Sequence, residues 1–521
     1  MSTPLNISQM LVAQARLQPQ RIGIRDLENE RSFADWNESA CRLANNLVAL
    51  GLTDGKRIAV LAHNRIEWAE IYVAVAKVGL IAVPINFRLS ASEILFICKD
   101  CSVSALIAEE PFVDLIDGIT DQLDLPQGAF ISISRQVHKG WRDYRELAET
   151  GDPSEPDAFV SPEDTWCLMY TSGTTGNPKG AIRDHKSASL ISIMTCVELG
   201  FSRQDHGLLV MPMCHANSLY FFISLLSIGA TSTIFSVRSF DAEYCLRTMS
   251  ERGITFTSLT PTHYMMLLDI PVATRAQANL SSVERLMISS ATARVETKRA
   301  VMQMFPNSGL FELYGSTEAA WVTMLHPDEQ FDHLGTVGRE VIGSQAIKLL
   351  DDADQEVPDG MPGELYSCSP YNFSGYWNLP EKTEEAFRGE YLSVGDIAIR
   401  NEDGFIRLID RKKNMIITGG ENVYPTEVEA LLGGHDAVKD VAVVGCAHPK
   451  WGEEVTAAVV LQNGVSISEA ELIDWTKGKI AGFKRPRRII FLQSDEMPRN
   501  TTGKIMHRIL RERLSTGGSG S

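Results

Sequence analysis

The chain has 521 residues, of which 44% are hydrophobic and 22% charged, and its formal net charge is −17. That length exceeds one ordinary core, so two or more domains are expected. A balance this acidic excludes a general nucleic-acid partner and requires any anionic ligand to be met by local positive charge.

Apolar positions recur at helical spacing over about residues 8–50, with Leu11 and Ala15, then Leu43 and Leu47, which predicts amphipathic helices. A strand over Arg57–Ala62, a helix over about Ile66–Lys77 ended by Gly79, and a strand over Leu80–Pro84 make a βαβ unit. The pattern recurs near 90–108, 186–211, 220–236, 241–259 and 283–313. Met211–Val237 carries no charge apart from His215, but Pro212, Asn217 and Gly229 interrupt it, so a buried helix and strand are expected in place of a membrane span. After Asp410 the texture changes. Pro425 opens a helix stopped at Gly433-Gly434; strands near 440–445 and 455–461, a helix near 468–480 and a strand near 488–492 follow. The expected class is α/β: a large multi-subdomain N-terminal body with layered sheets over 1–410, then a small mobile α+β domain over 411–514, with 515–521 a tag remnant. Nine cysteines are scattered; Cys98 and Cys101 form the one close pair and nothing completes a zinc site, so reduced thiols in a cytoplasmic protein are expected. The N-terminus lacks a basic region followed by an apolar core, so no signal peptide is expected.

The chemistry concentrates in Tyr170-Thr-Ser-Gly-Thr-Thr-Gly-Asn-Pro-Lys-Gly180, where four Ser/Thr residues, three glycines and one lysine fall within eleven positions. Glycines let backbone N–H groups approach a ligand, hydroxyls add donors, and Lys179 adds charge: a phosphate cradle. It lacks the Gly-Lys-Ser/Thr of a Walker A loop. A Ser/Thr/Gly surface linker would have no reason to follow the buried run Thr165–Tyr170. In Tyr314-Gly-Ser-Thr-Glu318 an aromatic can stack on a base, Thr317 can donate, and Glu318 is a hard oxygen ligand suited to Mg²⁺. Asp396, in Ser393-Val-Gly-Asp396, can accept two hydrogen bonds at once.

With these motifs in this order, the chain resembles the adenylate-forming superfamily, and within it the acyl-CoA synthetases. The resemblance implies ATP, Mg²⁺ and coenzyme A as cofactors, a small carboxylic acid as substrate, and two steps: acyl-adenylate formation with loss of pyrophosphate, then thioester formation with release of AMP. It implies that Thr171, Ser172, Gly173, Thr174, Thr175 and Lys179 cradle the phosphates. Ser290, Ala291, Tyr314, Gly315 and Thr317 hold the nucleotide, Glu318 takes the metal, and Asp396 and Arg411 hold the ribose. Lys504, in Pro498-Arg-Asn-Thr-Thr-Gly-Lys504, becomes the catalytic residue of the first step, with Thr317, Glu318 and His215 beside it. Lys413 is the hinge about which the small domain swings between steps. Gly419, Gly420, Trp451, Phe483, Arg485 and Arg88 serve coenzyme A. His215, Ala216, Asn217, Ser258, Thr262, Ser289, Ala320 and Trp321 line the acyl pocket. No carboxylate follows His215, which disfavours an amino-acid substrate; Ser at 289 and 290, where many relatives have glycine, implies a narrower or more polar pocket. The mixture suits a short-to-medium, branched, aromatic or polar-substituted acid. Transfer to a carrier protein and a non-catalytic acyl-nucleotide sensor are the alternatives; Trp451 and the basic run Phe483–Arg488 speak against the first, Lys504 and Glu318 against the second. A homodimer without nucleic-acid or membrane-spanning parts is the expected assembly.

Overall fold

The parallel strands announce themselves by burial. Arg57–Leu61 and Ile81–Ile85 pair residue for residue, and every side chain of the second is buried, as in a sheet covered on both faces. The computed structural model describes residues 5–126, 128–136, 138–171, 178–291, 293–499 and 505–516. Two compact units are present: residues 1–346 with 367–392, and residues 347–366 with 393–521.

The first unit holds two large sheets. The seven-stranded one adds Ala105–Glu109, Phe130–Ile133 and Arg142–Asp143 on one side of the 57–61/81–85 pair, and Thr165–Thr171 with Lys179–Asp184 on the other. The nine-stranded one runs, from its middle, through the parallel strands His206–Leu209, Phe256–Leu259, Arg285–Ser289 and Gly309–Ser316. Each large sheet carries an antiparallel hairpin at the end of its parallel run: Thr165–Thr171 against Lys179–Asp184, and Gly309–Ser316 against Ala320–Leu325. One apolar core spans residues of both sheets and the helices between them, including Trp36, Trp68, Tyr72, Trp166, Phe221 and Phe222.

The second unit combines a four-stranded sheet (Lys348–Leu350, Gly363–Tyr366, Asp396–Arg400, Ile406–Arg411) with a five-stranded one built on the long pair Val438–His448 and Gly452–Leu461. The small-domain strands and the helix Pro425–Gly433 lie where the sequence puts them. The helix expected at 468–480 is shorter, Glu469–Trp475. The helices expected over about 8–50 are Ile7–Leu17 and Phe33–Ala49, and between them lie two short strands, Ile22–Arg25 and Glu30–Ser32, of three or four residues, too few to show a period. The Met211–Val237 run is the helix Ala216–Ile228 and the strand Thr231–Ile234. Among the described residues no helix is long and apolar enough to cross a membrane.

Candidate active site

The two hairpins converge within the first unit. The first puts Thr171 directly opposite Lys179, at the two ends of the Ser/Thr/Gly loop; Ser172, Gly173, Thr174 and Thr175 lie outside the described residues. The second turns at Thr317–Ala319. Its tightness depends on Gly315, where an added Cβ would stand 2.0 Å from the carbonyl oxygen of Ala320. At that tip the buried Glu318 carboxylate accepts from the Tyr376 hydroxyl at 2.9 Å, and the Thr171 hydroxyl lies 3.5 Å from the same oxygen. The Lys179 ammonium lies 4.0 Å from the centroid of the Tyr376 ring. Burial draws this ammonium below its usual pKa, and the Glu318 charge opposes the shift. A cation, a carboxylate and a hydroxyl thus gather at the ends of the Ser/Thr/Gly loop. The hard oxygens of Glu318 and Thr171 suit a Mg²⁺, which these two residues would help to hold. Among the described residues no cluster of three His, Cys, Asp or Glu could form an all-protein cage.

Arg183, which sequence reasoning missed, fixes the tip. It is fully buried, and its guanidinium donates to the carbonyls of Glu318 at 3.1 Å and Tyr371 at 2.7 Å, with Thr317 at 3.5 Å. Tyr376 was missed as well. The segment Gly375–Trp377 is hydrogen-bonded to the strand Lys179–Asp184, through Ile182 N–H to Gly375 O and Trp377 N–H to Gly180 O. The aromatic run Tyr371–Trp377 with its central glycine was the available signal.

His215 precedes the helix Ala216–Ile228. Burial pushes its imidazole down to about 4, helped by the Arg88 charge, so the ring is neutral near pH 7. Its loop is pinned by Asn64 and Tyr72, in the loop and helix that follow the strand Arg57–Leu61 of the other sheet. Asn64 donates to Met211 O at 3.1 Å and accepts from Met213 N–H at 2.8 Å; the Tyr72 hydroxyl donates to Met213 O at 2.8 Å. Behind it, Asn217, Ser258 and Ser289 form one buried polar group: Asn217 Nδ2 donates to Ser289 Oγ at 2.9 Å, and Ser258 Oγ is 3.4 Å from Ser289 Oγ. Thr262 sits in the first turn of the helix Pro261–Leu268. Ser290 has φ +70°, a left-handed backbone that favours glycine, and is exposed with Ala291. Tyr314 is half-buried on its strand. Ala320 is buried at φ +55°. Trp321 faces the core: its indole N–H donates to Thr195 Oγ1 at 2.8 Å, and its ring packs on Tyr220 and Phe221. Arg88 is exposed in the loop after Ile81–Ile85.

In the second unit Asp396 and Arg411 stand directly opposite on adjacent strands, paired at 2.9 Å. Lys413 lies exposed in the short turn Lys412–Asn414. Beside it the Asp410 carboxylate, raised above its usual pKa chiefly by burial, accepts from Arg411 N–H, Asn414 Nδ2 and Thr426 N–H. It ties the turn to the start of the helix Pro425–Gly433. Gly419 and Gly420 both have positive φ. Gly419 N–H donates to Trp451 O at 2.8 Å, and a Cβ there would meet the Trp451 ring at 3.0 Å. Arg487 lies 4.6 Å and Lys450 4.7 Å from the Trp451 ring centroid. Phe483 is exposed, while Arg485 turns to Thr476, so Arg487 is the arginine of this run that reaches the tryptophan. Lys504 lies outside the described residues.

The chain matches the family model for AMP-binding enzymes over residues 11–377 and that for the AMP-binding enzyme C-terminal domain over residues 427–504. It is 31% identical over 506 residues to a feruloyl-CoA synthase of Amycolatopsis sp, covering 96% of this chain and 98% of that protein. It is 31% identical to the long-chain-fatty-acid–CoA ligase FadD13 of Mycobacterium tuberculosis, covering 93% of each. Among solved structures, the anthranilate CoA ligase AuaEII in complex with anthranoyl-AMP matches with a TM-score of 0.90 at 26% identity, covering 99% of both chains.

Proposed function

Because this chain belongs to the AMP-binding enzyme family and is an AMP-forming acid–CoA ligase, using ATP to adenylate a carboxylic acid and then coenzyme A to form the thioester, we propose that its substrate is a compact acid, aromatic, branched or polar-substituted, and not a long alkyl chain. The observation that carries the substrate reading is the buried polar group Asn217–Ser289–Ser258 behind His215, a poor floor for a long apolar tail. Relatives are named for both kinds of acid, feruloyl and anthranilate on one side and long-chain fatty acids on the other, so the pocket residues have to decide.

In this reading the loop from Thr171 to Lys179 cradles the phosphates while Tyr314 and the Ser290–Ala291 backbone flank the adenine. Glu318, with Thr171 near it, holds Mg²⁺, which neutralises phosphate charge when bound. Asp396 and Arg411 hold the ribose. The neutral His215 borders the substrate carboxylate, where an uncharged ring avoids trapping the nucleophile as an ion pair. Lys504 stabilises charge on the carboxylate and α-phosphate as it gathers in the transition state. Gly419, Gly420, Trp451 and Arg487 receive the pantetheine arm and phosphates of coenzyme A. Nine free, buried cysteines support a reducing cytoplasm, and the acidic charge speaks against a nucleic-acid partner. Pyrophosphate release across a panel of acids with coenzyme A present tests the assignment. Turnover of small aryl or branched acids is expected; turnover confined to palmitate-length acids overturns it.

A further inference from the structure

The polar group Asn217–Ser258–Ser289 contains one unpartnered acceptor among the described residues. Asn217 is 9% exposed, and its Oδ1 has no hydrogen-bond partner among the described residues, although Nδ2 is satisfied by Ser289. A buried acceptor left unpaired destabilises a fold, so such a group is retained where something else satisfies it. A second orphan belongs to the same region. Nδ1 of His263, on the helix that follows Ser258, is buried with no hydrogen-bond partner among the described residues, its ring 4.3 Å from that of Phe240. Both His263 and His215 are depressed to about 4 by burial and by the same Arg88 charge, so both rings are neutral near pH 7.

Topology gathers these residues at one edge. The strands His206–Leu209, Phe256–Leu259 and Arg285–Ser289 are adjacent and parallel, and Asn217, Ser258, His263 and Ser289 all lie at or just beyond their C-terminal ends. That is the edge at which open parallel sheets bind ligands. We propose that Asn217 is the specificity-determining residue of the acyl pocket, and that its Oδ1 accepts a hydrogen bond from a hydroxyl carried by the acid at a position remote from the carboxylate. The deduction rests on the acid-activating reading above and narrows it from a compact acid to a hydroxylated one. The group read is a neutral donor: a carboxylate would face the lone pairs of Oδ1, and an apolar end would leave them unmet. A site built to bond a hydroxyl rejects the analogue lacking it more strongly than a hydrophobic pocket rejects a missing methylene.

The test uses the whole enzyme with ATP, Mg²⁺ and coenzyme A, and reads pyrophosphate release from two matched sets: phenylpropanoate with its ring-hydroxylated and ring-carboxylated forms, and hexanoate with its terminal hydroxy acid and adipate. In at least one set the hydroxy acid is expected to exceed its unsubstituted parent in kcat/KM by about 10- to 100-fold. Asn217→Leu, close in shape but with no acceptor, is expected to bring that ratio to about one or below. Ser289→Ala, which frees the Asn217 amide to turn, is expected to lower it partly. Because each ratio compares acids on one preparation, a partly folded variant does not alter it. Equal use of parent and hydroxy acid in both sets, preference for the diacid, or a ratio unchanged in Asn217→Leu overturns the proposal. No turnover of any acid in either set would instead count against the compact-acid reading beneath it.

Discussion

Replacing Arg183 with Met tests whether the tip of the second hairpin is part of the ATP site. The guanidinium is fully buried and donates to the carbonyls of Glu318 and Tyr371 at 3.1 and 2.7 Å. Hydrogen bonds from a charged donor contribute about 1.5–3 kcal/mol each, so the two together contribute about 3–6 kcal/mol. Two effects reduce the loss. Phe373 N–H still serves the Glu318 carbonyl at 2.8 Å, and Met avoids the desolvation of a buried charge. A net loss of about 3 kcal/mol remains, borne by the backbone that aims Thr317 and Glu318. If half or more of it appears in the transition state, kcat/KM for ATP falls by about 10- to 100-fold. The assay is pyrophosphate release at saturating acid with ATP varied, beside a thermal melt of the same preparation. Arg183→Lys, which cannot fork to separated carbonyls, should fall between wild type and Met. A lowered melting temperature with unchanged kcat/KM for ATP would refute the reasoning, because the tip would then be structural and not part of the nucleotide site.

Lys504→Ala is expected to slow adenylate formation by about 10²–10³ while leaving thioester formation from supplied acyl-adenylate nearly intact; equal damage to both steps refutes its assignment to the first. Gly419→Ala should do the reverse, since the new methyl meets the Trp451 ring in a backbone region disfavoured for alanine; single-turnover assays of each half-reaction decide. Acid should weaken the fold. His185, His206, His215 and His263 all have pKa values lowered to about 4 by burial, so the unfolded chain binds more protons below the ordinary value of 6.5. Their contribution is intact above that value and is lost as pH falls towards 4, which a lower melting temperature at about pH 5 than at about pH 7.5 would register. His185→Gln should flatten that dependence, and an unchanged slope would exclude His185 as a contributor.

What the sequence disclosed followed from patterns strong over short windows. Ile81–Ile85 reads as a strand because it is apolar throughout, and Thr171 to Lys179 reads as a phosphate cradle because glycine, hydroxyl and lysine have few other reasons to crowd together. What it withheld depends on residues whose role is set by partners far along the chain. Arg183 resembles surface charge in Ala-Ile-Arg-Asp until Glu318 and Tyr371 come to lie over it, more than 130 positions away. Asn64 and Tyr72, inside and beside a plain βαβ unit, act by holding the loop of His215 some 140 residues later. Trp321 sits on the strand Ala320–Leu325, and nothing near it in sequence shows that the Thr195 hydroxyl, on the helix His185–Leu199, holds its indole. Arg485 and Arg487 are indistinguishable in a basic run, and the fold brings one to Thr476 and the other to Trp451. In each case the local chemistry was visible and the direction of the side chain was not, because direction is decided by long-range pairing. That difference also explains why the reaction class is legible from this chain while the proposed choice of acid turns on one amide oxygen, that of Asn217, whose lack of a partner among the described residues only a folded structure can reveal.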